Sequence, residues 1–258
     1  MGKKIVFFDI DGTLLDEKKE LPRSTVQAVQ ALREVGVYVA IATGRAPFMF
    51  ADLRKKLEID SFVSFNGQYV VFEGSVIYKN PLQRHKLHEL KESAHENGHP
   101  LVFMDAENMR ASVENHPYIH ESMGSLKFSH PPLDAAYYEN RDIYQALLFC
   151  KPEEEYAYVQ AYPEFHFVRW HSVSTDVLPF GGSKAEGIRK LIERIGIPKE
   201  DVYAFGDGLN DMEMLQFVGT GVAMGNAKEE VKKVADLVTK RVDEEGILYG
   251  LQQLELIK

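Results

Sequence analysis

The stretch Lys4-Ile5-Val6-Phe7-Phe8-Asp9-Ile10-Asp11-Gly12-Thr13 decides the fold. Its apolar residues run on without alternating with polar ones, the pattern of a strand buried on both faces in a parallel sheet. The run stops at Asp9, a second carboxylate follows two residues later, and a Gly-Thr turn closes the segment. Open α/β sheets bind ligands outside the carboxyl ends of their strands. The two acids therefore sit where a ligand is expected.

Working outward, Val26, Val29, Leu32 and Val35 recur at helical spacing and Gly36 closes the pattern, which predicts a helix over 22–35. A second buried strand follows over 37–42, then the turn Thr43-Gly44-Arg45, a helix to about 57, and a strand over 62–65. This β-α-β-α-β alternation predicts a doubly wound, parallel-sheet, Rossmann-like core. At Asn66-Gly67 and Glu73-Gly74 the signals change to hairpins, with short strands over 69–72 and 75–78. Pro81 ends that pattern. The aromatic- and His-rich region beyond it suggests helices over 84–97 and 152–162 and strands over 101–104, 144–149 and 165–170, an α+β module. After Pro179-Phe180-Gly181-Gly182 the alternation resumes, with a helix over 184–195, a strand over 202–205, a helix over 210–217 and a strand over 221–224. The expected organisation is a discontinuous core made of 1–81 and 180–258, with an inserted cap domain over 82–179. The charged segment 228–233 reads as a solvated helix face.

Bulk properties narrow the functional classes. A chain of 258 residues with 45% apolar and 27% charged residues is an ordinary globular composition. The net charge of −9 argues against a nucleic-acid partner, which needs clustered Lys and Arg. Cys150 is the only cysteine, so no internal disulfide can form, and a reducing, cytoplasmic setting is the expectation. Asp9 interrupts the first apolar run too early for a leader or a membrane helix, and Val6 stands where a myristoylation signal at Gly2 needs Ser or Thr. No membrane partner is expected, and the oligomeric state stays open.

Each polar motif has a plain reading beside its chemical one. An isolated D-x-D is an Asx-turn with solvated acids. At the end of a buried strand, however, the same pair offers a nucleophile, a metal site and free backbone N–H groups together. Gly206-Asp207-Gly208-Leu209-Asn210-Asp211 also follows a buried strand. It is either a helix cap or a set of hard oxygen ligands, and Mg²⁺ is held by one or two carboxylates plus water and substrate oxygens. Thr43 stands in a strand-to-helix turn and supplies a hydroxyl. Ser183-Lys184-Ala185-Glu186 reads as a capping box with Lys184 in solvent, or as a cation at a helix N-terminus that holds a phosphoryl group.

The four motifs, in this order and covering nearly the whole chain, resemble the haloacid dehalogenase-like phosphatase superfamily, and more closely its Cof-type sugar-phosphatase branch with a large inserted (type IIB) cap. Asn66-Gly67 and Gly221-Val222-Ala223-Met224-Gly225-Asn226-Ala227 are similar to that branch as well. The resemblance implies that Asp9 attacks phosphorus and forms a phospho-aspartate, while Asp11 serves as general acid and then base. It implies Mg²⁺ bound by Asp9, the Asp11 main-chain carbonyl and Asp207. The phosphoryl oxygens are then cradled by the Ile10 and Gly44 N–H groups, Thr43, Lys184 and Asn210, with Thr13, Arg45 and Asp211 in support. The implied partner is a small phosphorylated metabolite, either a sugar phosphate or a cofactor phosphate such as that of flavin or pyridoxal.

Two rival functions use the same residues. A phosphomutase or phosphotransferase passes the phosphoryl group to a sugar, and a non-enzymatic phospho-switch retains it. Asp11 opposes the switch, because an acid/base beside the nucleophile hastens hydrolysis. Gly219-x-Gly221 precedes a strand, so it lacks the geometry of a dinucleotide fingerprint. His116 and His120 enclose Pro117 and no Glu follows His116, so the zinc-protease pattern is not met. Trp170 and His171 are the cap residues with some expectation of touching substrate.

Overall fold

A computed structural model describes residues 3–258, so Gly2 and the lipidation reading attached to it lie outside the described residues. The first segment contains β1 (Ile5–Phe8), α1 (Arg23–Glu34), β2 (Tyr38–Ala42), α2 (Ala51–Leu57), β3 (Phe62–Ser64), β4 (Tyr69–Phe72) and β5 (Ser75–Lys79). The middle segment contains α3 (Arg84–Glu96), β6 (Leu101–Met104), β7 (Met109–Ala111), α4 (Pro117–Ser125), β8 (Gln145–Leu148), α5 (Pro152–Ala161), β9 (Phe165–His171) and β10 (Ser174–Pro179). The last contains α6 (Lys184–Ile195), β11 (Val202–Gly206), α7 (Met212–Phe217), β12 (Thr220–Ala223), α8 (Glu229–Lys232), β13 (Leu237–Val238) and α9 (Gly246–Gln253).

Two compact units result. One joins the chain up to Arg45 with Phe50–Lys79 and Ser183–Lys258; the other joins Ala46–Met49 with Asn80–Gly182. The first unit is built on an eight-stranded sheet in the order β13-β12-β11-β1-β2-β3-β4-β5, parallel from β13 to β3 and antiparallel from there to β5. All four residues of β1 are fully buried, as the unbroken apolar run requires. Alternate residues serve opposite faces. Val6, Phe8, Val39 and Ile41 pack into a core with Ala28, Val29 and Leu32 of α1 and Ile247 and Leu251 of α9. Ile5, Phe7, Ala40 and Ala42 join Ile188, Leu191 and Ile192 of α6 and Met214 and Leu215 of α7. The result is a three-layer α/β sandwich.

The topology positions the site. The chain leaves β1 for β2 on one side, and β11 pairs with β1 on the other, with Phe8 opposite both Ile41 and Phe205. This reversal is the switch point at which the loops after neighbouring strands part and open a crevice. Asp9 follows β1, Thr43 follows β2 and Asp207 follows β11.

Where the sequence suggests a simple hairpin turn at Asn66-Gly67, the chain makes a 3₁₀ turn with Phe65 and Asn66 in the left-handed region (φ 51° and 50°). Gly67 (φ 98°) is required there twice over, since a Cβ would also lie 2.0 Å from the Ser183 carbonyl oxygen at the start of α6. We expect Gly67→Ala to destabilise the protein by roughly 2–5 kcal/mol, from left-handed strain plus the forced retreat of α6. Chemical denaturation measures this, and a loss below 1 kcal/mol counts against so tight an approach.

The second unit has a five-stranded antiparallel sheet, β7-β6-β8-β10-β9. Leu87, Leu90 and Ala94 of α3 and Tyr158 of α5 cover one of its faces, packing on Phe103, Ala146, Leu148 and Val177. The fold is thus an α/β core with an inserted α+β cap. Strand β10 was not expected from the sequence, because Asp176 interrupts its apolar residues and Pro179 punctuates its end. Helix α4 begins at Pro117, a residue well accommodated in a first helical turn. Among the described residues no helix is long and apolar enough to cross a membrane.

Candidate active site

The loop after β1 is tightly wound. Asp9 N–H donates to the Phe205 carbonyl at 3.0 Å, continuing the sheet for one residue, and Leu14 and Leu15 N–H groups then return to the Asp9 and Ile10 carbonyls (3.2 and 2.8 Å). Gly12 takes φ 85°, and a Cβ there would lie 2.2 Å from Asp207 Oδ2. The D-x-D-G turn therefore brings its glycine against the carboxylate that follows β11. Asn226 secures the loop from below, its amide donating to the Gly12 carbonyl at 2.8 Å while its oxygen accepts from Val242 N–H at 2.9 Å.

Lys184 is not in solvent. Its side chain is 0% exposed, and its ammonium donates to Asp9 Oδ1 at 2.5 Å and Asp211 Oδ1 at 2.6 Å. Only half of the capping box forms. Ser183 Oγ accepts from Glu186 N–H at 3.2 Å, but the Glu186 carboxylate turns to Arg189. Asp211 does cap its loop, with Oδ2 accepting from the N–H groups of Asp207 (3.0 Å) and Gly208 (2.8 Å). Both of its oxygens are thereby committed, which makes Asp211 the anchor between the β11 loop and Lys184.

Asp9 and Asp207 each keep one carboxylate oxygen outside these hydrogen bonds. Asp9 gives Oδ1 to Lys184, and Asp207 accepts from Thr13 Oγ1 at 3.0 Å through Oδ1. Ligand atoms of Asp9, Asp207 and Asp211 lie within 4.8 Å of one another. Burial pushes the Asp9 carboxyl up to about 7, with Lys184 opposing the rise and Asp211 adding to it. Burial also pushes Asp207 up to about 6, against the pull of its Thr13 hydrogen bond. For Lys184, burial works to lower its pKa, but the carboxylates of Asp211 and Asp9 more than compensate and hold it above the usual lysine value. Two crowded carboxylates, each with an uncommitted hard oxygen, fit a divalent cation.

The Asp207 shift carries a sign for stability. Its folded value near 6 stands above the ordinary 3.8, so the charged carboxylate costs stability as pH rises from about 4 and the cost is complete above about 6. In metal-stripped protein, Asp207→Asn is therefore expected to gain roughly 1 kcal/mol at pH 8, after allowance for partial exposure, and nothing at pH 4. Urea titrations of both proteins in EDTA measure the difference. Equal stability at pH 8 overturns the prediction.

Asp11 faces elsewhere. Arg45 grips it as a fork, Nε to Oδ2 at 2.8 Å and Nη2 to Oδ1 at 2.5 Å, and Lys19 adds a third contact at 2.6 Å. Burial alone raises an acid, but these two cations outweigh it and hold Asp11 below the usual carboxylate range. Thr43 is buried and its Oγ1 accepts from Arg45 N–H at 3.1 Å, which orients both residues. Among the described residues, the Ile10 and Gly44 N–H groups have no partner in the loops' own hydrogen bonds. Asn210 donates to Asn66 Oδ1 at 3.3 Å, and the Asn66 amide borders Gly44.

The structure thus gathers Asp9, Lys184, Asp207, Asp211 and Thr13 directly, and ties Asp11 to Arg45. Lys19, Asn66 and Asn226 were missed as participants. Asn66 and Asn226 carried a signal in the motifs that contain them. Lys19 carried none, because only the reversal of the turn at residues 16–20 returns it to Asp11; there Asp16 Oδ1 accepts from Lys18 and Glu20 N–H groups.

The family model of haloacid dehalogenase-like hydrolases matches residues 6–251. The chain belongs to that family. It is 54% identical to "Putative phosphatase YkrA" of Bacillus subtilis (strain 168) over the full length of both proteins. A hypothetical protein of Geobacillus kaustophilus HTA426 has a crystal structure that matches with 75% identity and a TM-score of 0.97, covering 99% of this chain and 100% of that one. The HAD subclass IIB sugar phosphatase BT4131 matches with 31% identity and a TM-score of 0.83, covering 99% and 100%. The chain is accordingly an enzyme, a phosphatase of the HAD type.

Proposed function

We propose that this HAD phosphatase hydrolyses a small phosphorylated metabolite, a sugar phosphate or a cofactor phosphate, through a phospho-aspartate on Asp9. The observation that carries the reading is the Asp9 carboxylate, held by buried Lys184 at the end of the central strand with Asp207 beside it across the switch point. Asp9 Oδ attacks phosphorus as the bond to the leaving oxygen breaks, and Asp11 gives that oxygen a proton. Asp11 then takes a proton from water, whose oxygen attacks phosphorus and breaks the bond to Asp9, so that phosphate leaves and the carboxylate returns. Arg45 and Lys19 suit Asp11 to the second half, in which it must accept a proton. The acid half requires release from that fork.

Lys184, Thr43, Asn210 and the Ile10 and Gly44 N–H groups would hold the phosphoryl oxygens, so that catalysis is positioning and charge stabilisation. Mg²⁺ held by Asp9, Asp207 and the Asp11 carbonyl would neutralise phosphoryl charge and align the phosphorus. The sugar phosphatase among the structural relatives supports the substrate class. The test is phosphate release from p-nitrophenyl phosphate and a panel of metabolite phosphates, with Mg²⁺ and with EDTA. Turnover that requires Mg²⁺ is expected. Transfer of the phosphoryl group to an added sugar instead of water sinks the hydrolase reading.

A further inference from the structure

Just past β3, three consecutive residues of the first unit hold positive φ: Phe65 (51°), Asn66 (50°) and Gly67 (98°). Gly67 needs that conformation for its approach to α6, but Phe65 and Asn66 carry side chains that disfavour it. Backbone strain of this kind persists only where surrounding structure over-determines it, and it collects at functional sites. Here the surrounding structure is the loop after β2. Phe65 N–H donates to the Arg45 carbonyl at 3.3 Å and Asn66 N–H to the Thr43 carbonyl at 3.1 Å. The turn is thus tied to the residues on either side of Gly44.

A Cβ on Gly44 would lie 3.0, 3.1 and 3.4 Å from Nδ2, Oδ1 and Cγ of Asn66. Three such similar distances mean that the face of the carboxamide, not its edge, covers Gly44. Its edge is left for hydrogen bonding, and Oδ1 accepts from Asn210 Nδ2 at 3.3 Å. The Asn210 side chain is turned back over its own loop, with Oδ1 2.6 Å from where a Cβ on Gly208 would stand. Strands β11, β1, β2 and β3 run parallel in that order, so the loops after them share one edge of the sheet. Three ladder steps separate β11 from β3, about 14 Å. The contact between Asn66 and Asn210 therefore spans the ends of β1 and β2, which carry Asp9 and Thr43. Asn210 is exposed and Asn66 half-buried, so the bond adds little to stability. What it supplies is direction. An amide nitrogen carries two hydrogens, and with one given to Asn66 the other is aimed.

We propose that Asn66 is a positioning residue for phosphoryl transfer: it fixes the Asn210 amide so that its second N–H meets a phosphoryl oxygen. The proposal rests on the phosphatase reading, in which Asn210 donates to the phosphoryl group, and adds the residue that preorganises that donor. The left-handed turn after β3 is the backbone device that sets the Asn66 carboxamide between Gly44 and Asn210.

The test is a double-mutant cycle of Asn66→Gly and Asn210→Ala, read as kcat/KM for p-nitrophenyl phosphate with Mg²⁺. Gly accepts the left-handed φ at position 66, so Asn66→Gly removes the carboxamide and keeps the turn, which a urea melt of each variant checks. Asn210→Ala is expected to lower kcat/KM by roughly 10²-fold, as loss of one preorganised donor does, and Asn66→Gly by roughly tenfold. In the Asn210→Ala background, Asn66→Gly should change kcat/KM by less than about twofold, because residues that act through one another are not additive. A purely structural role for Asn66 lowers activity in both backgrounds. Effects that multiply therefore overturn the proposal, and so does wild-type kcat/KM in Asn66→Gly. If wild type fails to turn over p-nitrophenyl phosphate, the phosphatase reading fails, and the affinity of the same four proteins for inorganic phosphate with Mg²⁺, measured by calorimetry, decides the coupling. Weaker phosphate binding in Asn66→Gly that disappears in the Asn210→Ala background then supports the positioning role. Equal affinity of wild type and Asn66→Gly refutes it.

Discussion

Asp9→Asn is expected to lower phosphate release by at least ~10⁴-fold while leaving a folded protein, as loss of a covalent nucleophile does elsewhere. The amide oxygen still accepts the Lys184 hydrogen bond, so the geometry around Lys184 and Asp211 is retained. What disappears is the anion that attacks phosphorus. Stability moves the other way. The Asp9 carboxyl, pushed up to about 7 by burial, costs the metal-free fold increasingly as pH rises from about 4 to 7, and the neutral amide removes that cost. The variant is thus expected to be inactive yet no less stable than wild type at pH 8 in EDTA. Phosphate release and urea melts on the same preparations check both halves. Acid quenching of wild type with labelled substrate should trap label on the protein, and Asp9→Asn should trap none. Residual turnover above about one per cent would mean that another group attacks.

This pairing of lost activity with retained stability separates functional residues from structural ones, and the sequence marks the two kinds unequally. The core was legible because β1 is apolar without alternation and because helix and strand signals alternate around it. The D-x-D and G-D-G-x-N-D loops were legible for the same reason, since each follows such a strand. Lys184 was legible only as a motif. Its burial depends on how closely α6 approaches the 3₁₀ turn at Gly67, a tertiary contact that no local pattern records. The half-formed capping box shows the limit. Ser183 behaves as its neighbours predict, whereas Glu186 is drawn away by Arg189, an interaction of similar strength at the same helical spacing.

The cap was less legible because polar and charged residues interrupt the apolar runs of β9 and β10. Strand β10 combines Val177 and Leu178 with Asp176, and a carboxylate in mid-strand reads as a loop unless a ligand or a pair of neighbours accounts for it. Lys19 stands furthest from prediction. It takes φ 64° in a turn held by Asp16, and its reach to Asp11 exists only once that turn has formed.

Lys184→Met carries the other large effect, because one ammonium serves both catalysis and folding. In catalysis it is a preorganised donor beside the attacking carboxylate, and removing such a donor typically costs ~10²-fold or more in kcat/KM. In the fold it is the cation between Asp9 and Asp211, whose side chains are 10% and 0% exposed. Truncating one partner of a buried ion pair costs roughly 3–5 kcal/mol, because the remaining charges stay buried without compensation. Met matches the length of the lost chain, which separates the charge from the volume. The sign with pH follows. Without the ammonium, nothing opposes the burial that raises Asp9, so its folded pKa moves further above the unfolded value and the variant loses stability as pH rises through the carboxylate range. Lys184→Met should therefore approach wild-type stability near pH 4 and fall progressively behind toward pH 8. Mg²⁺ should recover part of the stability at pH 8 by compensating the same carboxylates, but little of the activity, since a cation shared by Asp9 and Asp207 does not replace a donor to the phosphoryl oxygens. If Mg²⁺ restores turnover as fully as stability, the role of Lys184 is to neutralise the acids and not to hold the transferred group.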